Sequence, residues 1–239
     1  MLSTTEGIVL KTLKFKESSL IVTCFTKGFG KQTYLVRGVL KAKKSGLKAA
    51  HFQLLNLVQM VVNQNDKGHL NSIKELKIYY HYQGIPQNFI KQSLLMFLPE
   101  FLNEAIRDEY PNEELYEYIE NGLKYLDQSD QVVDFHLVFL MNLSKYIGCY
   151  PKGTHIEEPF FNLENGEFTP RVDRFTNLTI EQTVLFRKLY ELNFQDLDKV
   201  HFSGNQREEL LKILIKYYSL HLNGFREPKS MTILKTLFR

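Results

Sequence analysis

Positively charged side chains are concentrated near the start of the chain. Between residues 11 and 48 the sequence has ten basic residues and a single acid, Glu17. The basic residues are Lys11, Lys14, Lys16, Lys27, Lys31, Arg37, Lys41, Lys43, Lys44 and Lys48. A surface lined with such cations neutralises the closely spaced phosphates of a nucleic acid and releases their condensed counterions. The run therefore predicts a DNA- or RNA-binding surface, and the alternative is a set of lysines that only solvates a sheet.

Three aromatic residues, Phe15, Phe29 and Tyr34, lie within the same basic run. Proteins that bind single strands combine a cationic groove with aromatic rings on which bases stack. Each of the three rings is therefore a candidate stacking platform. Aromatic residues are also frequent members of hydrophobic cores, and this alternative stays open for each ring.

The charge of the chain is unevenly distributed. Residues 1–80 contain thirteen lysines and arginines against four acids, a net charge of +9, whereas residues 81–239 contain seventeen against twenty-three, a net charge of −6. This asymmetry predicts that the first segment faces a polyanion. We expect the second segment to repel DNA and to offer its apolar surface to protein partners. Candidate contacts for an acidic peptide there are Arg187 with Lys188, or Lys212 with Lys216, unless these residues only solvate their helices.

Residue types that carry catalysis or hold metals occur without the necessary spacing. The segment Gly28-Phe29-Gly30-Lys31 is too short for a phosphate-binding loop. The seven histidines are scattered and the two cysteines, Cys24 and Cys149, stand far apart, so neither set has the paired spacing of a zinc site. The sequence therefore predicts a binding protein without enzymatic activity, cofactor or metal.

The composition predicts a soluble, cytoplasmic protein. Hydrophobic residues make up 44% of the chain and charged residues 24%, which is ordinary for globular proteins. The first seven residues lack the pattern of a signal peptide. The longest uncharged stretch, residues 51–65, is too short to span a bilayer.

The first eighty residues have the composition of strands. Five segments rich in β-branched and aromatic residues are separated by turn-like stretches, at 7–15, 20–25, 31–39, 54–62 and 70–80. Five short strands without an intervening helix predict a small barrel. The OB-fold has this size and strand count, and strand count alone does not separate it from an SH3-like barrel.

After residue 84 the apolar spacing becomes helical. We predict helices over residues 88–107, from 111 onward, and over 131–147, 179–192, 205–222 and 230–238. Near 158–170 the Asn165-Gly166 pair predicts a short hairpin. The expected fold class is α+β, with a five-stranded barrel domain at 1–82 and a mainly helical domain at 83–239.

Several short motifs along the chain together form a recognisable pattern. They are Gly7-Ile8-Val9-Leu10-Lys11, Glu17-Ser18-Ser19-Leu20-Ile21-Val22, Phe25-Thr26-Lys27-Gly28-Phe29-Gly30-Lys31, Val36-Arg37-Gly38, and Tyr217-Tyr218-Ser219-Leu220-His221-Leu222 with Lys229-Ser230 and Leu234. In their order and spacing these motifs resemble the RecO family. The resemblance spans nearly the whole chain and implies an OB-fold followed by a helical domain.

The chain departs from the family pattern at one place. Many RecO proteins carry a four-cysteine zinc module after a helix that ends much like Tyr146-Ile147-Gly148-Cys149-Tyr150-Pro151. Residues 152–170 contain no cysteine here. We expect the hairpin to fill this position without metal, with Phe160, Phe161 and Phe168 buried.

The resemblance implies a mediator of homologous recombination and DNA repair. Such a protein binds single- and double-stranded DNA, contacts the tail of single-stranded DNA-binding protein, pairs with RecR, and helps to load RecA or anneals strands without nucleotide hydrolysis. Two alternatives stay open. One is a basic OB-fold module that binds RNA or the ribosome, and the other is an adaptor whose barrel binds acidic peptides.

Overall fold

The computed structural model describes residues 2–41, 46–64, 71–107, 110–173 and 175–237, and for residues 235–237 it describes the backbone alone. A five-stranded antiparallel sheet comes first and a mainly helical region follows, which confirms the α+β prediction. The strands of the sheet are β1 (Leu2–Phe15), β2 (Ser19–Thr26), β3 (Gly30–Val36), β4 (Leu57–Asn63) and β5 (Ser72–Tyr80).

The sheet has the strand order β3-β2-β1-β4-β5. Its two edge strands come together at one parallel bridge, Tyr34 with Asn71, where the Leu35 amide donates to the Asn71 carbonyl at 2.8 Å. The sheet is therefore OB-like, as predicted, but it does not close into a complete barrel.

Two strand boundaries differ from the prediction for local reasons. β3 ends at Val36 rather than residue 39, and Gly38 follows in the left-handed region at φ 69°. β4 begins at Leu57 rather than residue 54, because Leu55 has a positive φ of 62°. The Leu55 amide nevertheless donates to the Val9 carbonyl at 2.7 Å, so this segment stays attached to β1.

In the part of the chain that the structure describes, six α-helices form the second region, together with a two-stranded hairpin. They are α1 (Phe89–Ala105), α2 (Glu113–Gln128), α3 (Phe135–Tyr146), α4 (Ile180–Tyr190), α5 (Gly204–His221) and α6 (Met231–Leu237), and the hairpin strands are β6 (Phe160–Asn162) and β7 (Glu167–Thr169). Residues 135–144 of α3 are buried on every side. None of the helices in the described residues is long and apolar enough to cross a membrane.

Side-chain caps fix where several of these helices begin. Thr179 and Gln182 form the predicted capping box at α4, and Asn112 caps α2 by accepting from the Leu115 amide. Pro111, where this helix was predicted to begin, therefore lies outside α2, one residue before the cap. These caps satisfy backbone donors that the first turn of a helix leaves unpaired.

The hairpin β6–β7 forms where it was predicted. Phe161 and Phe168 are buried, with ring centroids 5.0 Å apart, whereas Phe160 is only half-buried, contrary to the prediction. The connecting loop spans residues 163–166, and Gly166 has a φ of 63°. A Cβ on Gly166 would lie 2.7 Å from the Tyr217 hydroxyl, so glycine is required there by both conformation and space.

Sheet and helices share a hydrophobic boundary. Ile8 and Leu10 of β1 and Phe25 of β2 belong to the same buried cluster as Phe97 and Phe101 of α1. A second cluster, which includes Val9 and Tyr34, fills the inside of the sheet. Successive residues of β1 therefore alternate between the two clusters. The predicted boundary between two domains, 1–82 and 83–239, stays a prediction.

The connection between the two parts is held by one carboxylate. The Asp127 side chain, near the end of α2, accepts hydrogen bonds from the backbone amides of Gln83, Gly84 and Ile85 at 2.8 to 3.0 Å. The Tyr80 hydroxyl donates to the same carboxylate at 3.1 Å. Three successive amides around one anion fix the course of the chain as it leaves the sheet.

Candidate nucleic-acid interface

Three segments meet at one end of the sheet, and we call the surface formed by residues 11–19, 37–41 and 46–54 the basic end. The turn after β1 is tied to the segment after β3, because the Leu40 amide donates to the Ser18 carbonyl at 3.1 Å. The Thr12 hydroxyl donates to the Phe52 carbonyl at 2.8 Å and thereby joins β1 to the 3-10 helix Ala49–Phe52. Residues distant in sequence are thus held side by side.

Six of the ten predicted basic residues are exposed on this surface. They are Lys11, Lys14, Lys16, Arg37, Lys41 and Lys48. Lys43 and Lys44 fall outside the described residues. Glu17 is the acid that accompanies them within the described segments. Six cations against one carboxylate create a positive potential of the kind that attracts phosphates.

Lys27 and Lys31 lie at the opposite end of the sheet and have partners within the protein. Lys27 forms ion pairs with Glu113 and Glu117 of α2 at 2.8 and 2.9 Å, and hydrogen bonds to these two carboxylates raise the pKa of Lys27. Lys31 donates to the carbonyls of Asn103 and Ile106 at the end of α1. A cation is favourable there because the last carbonyls of a helix lack partners. These two lysines join the sheet to the helices.

The three candidate stacking rings have different surroundings. Phe15 is 37% exposed, and Lys16 Nζ lies 5.5 Å from its ring centroid. Phe29 is half-buried and packs against the inner cluster of the sheet. Tyr34 is 0% exposed and belongs to that cluster, so no base can reach its ring and the prediction for Tyr34 is wrong.

Exposed apolar residues were missed by the sequence analysis. Leu13 is 49% exposed on β1, and Leu40 and Leu54 are exposed on the neighbouring segments. The signal was present in residues 11–16, where leucine and phenylalanine alternate with lysine. Such a strand has no fully apolar face to bury, so it extends past the core into solvent.

The basic residues proposed for an acidic peptide have contacts in the helical region. Arg187 donates to the Glu158 carbonyl at 2.6 Å and lies over the Phe168 ring. Lys188 lies over the Phe202 ring at 5.2 Å, and Lys212 pairs with Glu208 at 2.8 Å. Arg187 in particular supports the hairpin, so its guanidinium has a structural role.

Both cysteines and one histidine, His136, are buried in the core. Burial raises the pKa of the Cys24 and Cys149 thiols to about 12, which keeps them protonated and unreactive. Burial also lowers the pKa of His136 to about 3, so this core histidine is neutral. Among the described residues, the group His155, Glu157 and Glu158 brings three possible metal ligands together, on a surface loop.

Comparisons with known proteins agree along the whole chain. Residues 1–82 match the family model described as "Recombination protein O N terminal", and residues 86–231 match "Recombination protein O C terminal". The chain is 39% identical to the DNA repair protein RecO of Flavobacterium psychrophilum over 234 residues, 98% of each protein. It is 36% identical to that of Christiangramia forsetii over 238 residues, 100% of each protein. The chain therefore belongs to the RecO family of DNA repair proteins.

Proposed function

We propose that this protein is a non-enzymatic recombination mediator that binds DNA through its basic end and anneals complementary strands. The observation that carries the proposal is the group of six exposed cations, accompanied by the single acid Glu17, at the end of an OB-like sheet. Phosphate contacts of this kind supply affinity without sequence information. A mediator that acts on any damaged site needs affinity of that type.

Annealing follows from the same charge. Two complementary strands repel each other through their phosphates, and a dense patch of lysines lowers this repulsion by screening both backbones at once. Neither the binding of the strands nor their annealing needs ATP, since base pairing itself drives the reaction once the strands are close.

The protein partners that we propose for this activity are inferred from the resemblance to the RecO family. RecR, the acidic tail of single-stranded DNA-binding protein, and indirectly RecA are the proposed protein partners. The site of action is the cytoplasm, at the nucleoid. The helical region, with its net charge of −6 over residues 81–239, is the proposed surface for them.

The test is annealing of complementary strands by the purified protein without nucleotide, at several salt concentrations. We expect annealing of naked strands and of strands coated with single-stranded DNA-binding protein. On naked strands, Lys14→Glu with Lys16→Glu should abolish most of the activity, while the control Lys212→Glu with Lys216→Glu on α5 should keep it. Failure of the wild type to anneal naked strands would remove the proposal. Binding to structured RNA in preference to DNA would favour an RNA-binding module instead.

A further inference from the structure

A groove of about 470 Å³ lies between β1 of the sheet and α1 of the helical region. Lys11 and Leu54 line it on the sheet side, Met96 on α1, and Arg226 and Lys229 in the segment between α5 and α6. We infer that a single strand of nucleic acid held at the basic end continues through this groove to Arg226 and Lys229. This inference rests on the proposed function and extends the binding surface beyond the sheet.

The groove is continuous with the basic end through one face of β1. Side chains alternate along a strand, so Lys11, Leu13 and Phe15 share a face. These three residues span about 13 Å of strand at ~3.3 Å per residue. Phe15 and Leu13 are exposed, and Lys11 lines the groove. A strand that contacts Phe15 therefore reaches the groove within a few nucleotides.

The side chains in the groove match the chemistry of a single strand. Met96 is 55% exposed, and Leu54 beside it is exposed as well, which gives apolar surface for unpaired bases. Lys11, Arg226 and Lys229 are exposed and lie along its walls, where phosphates would contact them. A duplex hides the faces of its bases, so apolar surface beside cations favours the single-stranded form.

Three acids, Glu100, Glu104 and Glu227, line the groove together with its three cations. Glu100 accepts hydrogen bonds from the Lys229 and Ser230 amides, each at 2.9 Å, and from the Ser230 hydroxyl at 2.5 Å. These bonds outweigh the effect of burial and lower the pKa of Glu100.

Burial lowers the pKa of Lys31, and the nearby negative charge of Glu104 offsets part of this lowering. Glu227 is the exposed acid of the three, whereas Glu100 and Glu104 are half-buried. The lining is thus neutral in formal charge, with three cations against three acids, and the positive charge of the proposed path comes from the basic end.

The size of the groove also fits one strand. Its volume of about 470 Å³ lies within the range of sites that hold one small organic ligand, roughly 300–1,000 Å³. That is room for a nucleotide or two of a flexible strand and is too little for two paired strands.

The test compares strand lengths. With an oligothymidylate of about 20 nucleotides, Arg226→Ala with Lys229→Ala should weaken binding on the order of tenfold and reduce the salt slope by about 1.4, the value for two phosphates on a single strand. With about 4 nucleotides, the small end of OB-fold site sizes, the strand covers the basic end without reaching Arg226 and Lys229, and the same variant should bind like the wild type. Glu227→Gln should strengthen binding of the longer strand.

The controls separate this inference from the proposed function. Lys212→Ala with Lys216→Ala removes the same charge from α5 and should not change binding, and Lys14→Ala with Lys16→Ala should weaken binding at both lengths. Thermal unfolding of each variant shows that it is folded.

If only the Lys14 and Lys16 variant loses affinity, the groove is not part of the path and the proposed function stands. If neither variant loses affinity, both proposals fail. Equal losses in the α5 control would mean that net charge, and not the groove, sets affinity. Unchanged strand binding by the Arg226 and Lys229 variant, with loss of binding to a labelled acidic peptide, would make the groove a protein site and overturn the inference.

Discussion

Replacement of Asp127 by asparagine should destabilise the protein by about 1–3 kcal/mol. The side chain is 4% exposed and accepts from three backbone amides and the Tyr80 hydroxyl. Hydrogen bonds to a charged group contribute about 1.5–3 kcal/mol each and neutral ones about 0.5–1.5. Asparagine keeps one acceptor oxygen in place, so the variant loses the charge and the bond from Tyr80 and retains weaker bonds to the amides.

The pH dependence provides an independent check on Asp127. Burial alone would raise the pKa of this carboxyl, but the hydrogen bonds, led by the one from the Ile85 amide, hold it below its usual value. The stabilisation is therefore complete above the unfolded pKa of about 3.9 and is lost as the pH falls through the lower folded pKa. The difference in stability between wild type and variant should shrink below about pH 4.

The assay is thermal and urea unfolding of the wild type, Asp127→Asn and Asp130→Asn. Asp130 is an exposed acid three residues away, and its replacement should change stability by less than about 0.5 kcal/mol. For a chain of this size 1 kcal/mol corresponds to roughly 2–4 °C in Tm, so Asp127→Asn should unfold several degrees earlier. Equal Tm values for the two variants, or a difference that does not vary with pH, would refute the role assigned to the carboxylate.

Three further predictions follow from the geometry. Gly84→Ala should lower Tm more than Asp127→Asn, since a Cβ there would lie 2.1 Å from the Asp127 carbonyl oxygen; a Tm within a degree or so of the wild type would contradict this. Phe15→Ala should weaken binding to single strands by about 1–3 kcal/mol, the range for a stacked base, and Phe29→Ala by less; a fluorescence titration that ranks them the other way would move the stacking site. Elemental analysis of the untagged protein should find no stoichiometric zinc, because structural sites need about four ligands and the group around His155 has three.

The elements could be predicted because each depends on neighbours in sequence. The strands, the hairpin at 160–169 and the capping box at Thr179 all follow from local periodicity and turn chemistry. The exceptions are local conformations that no periodicity encodes. Leu55 has a positive φ, and β4 therefore begins at Leu57 and not at residue 54, where the apolar pattern placed its start.

The inward or outward direction of a side chain was harder to predict. Tyr34 and Phe15 are both aromatic residues in strands with lysines nearby, yet one is buried and the other exposed. The difference comes from tertiary position. Tyr34 lies where β3 meets the segment before β5 at Asn71, whereas Phe15 lies on the part of β1 that extends past its pairing with β4.

The contacts of the ten basic residues show why a count of charges in the sequence is not enough to locate a binding surface. The sequence assigned all ten basic residues between 11 and 48 to a polyanion, but Lys27 and Lys31 contact α2 and the end of α1. Part of the positive charge of the sheet is thus complementary to the negative charge of the helices, and the same asymmetry serves assembly of the fold as well as the proposed binding of DNA. The six described cations of the basic end are instead exposed to solvent, so a flexible, charged polymer can reach them.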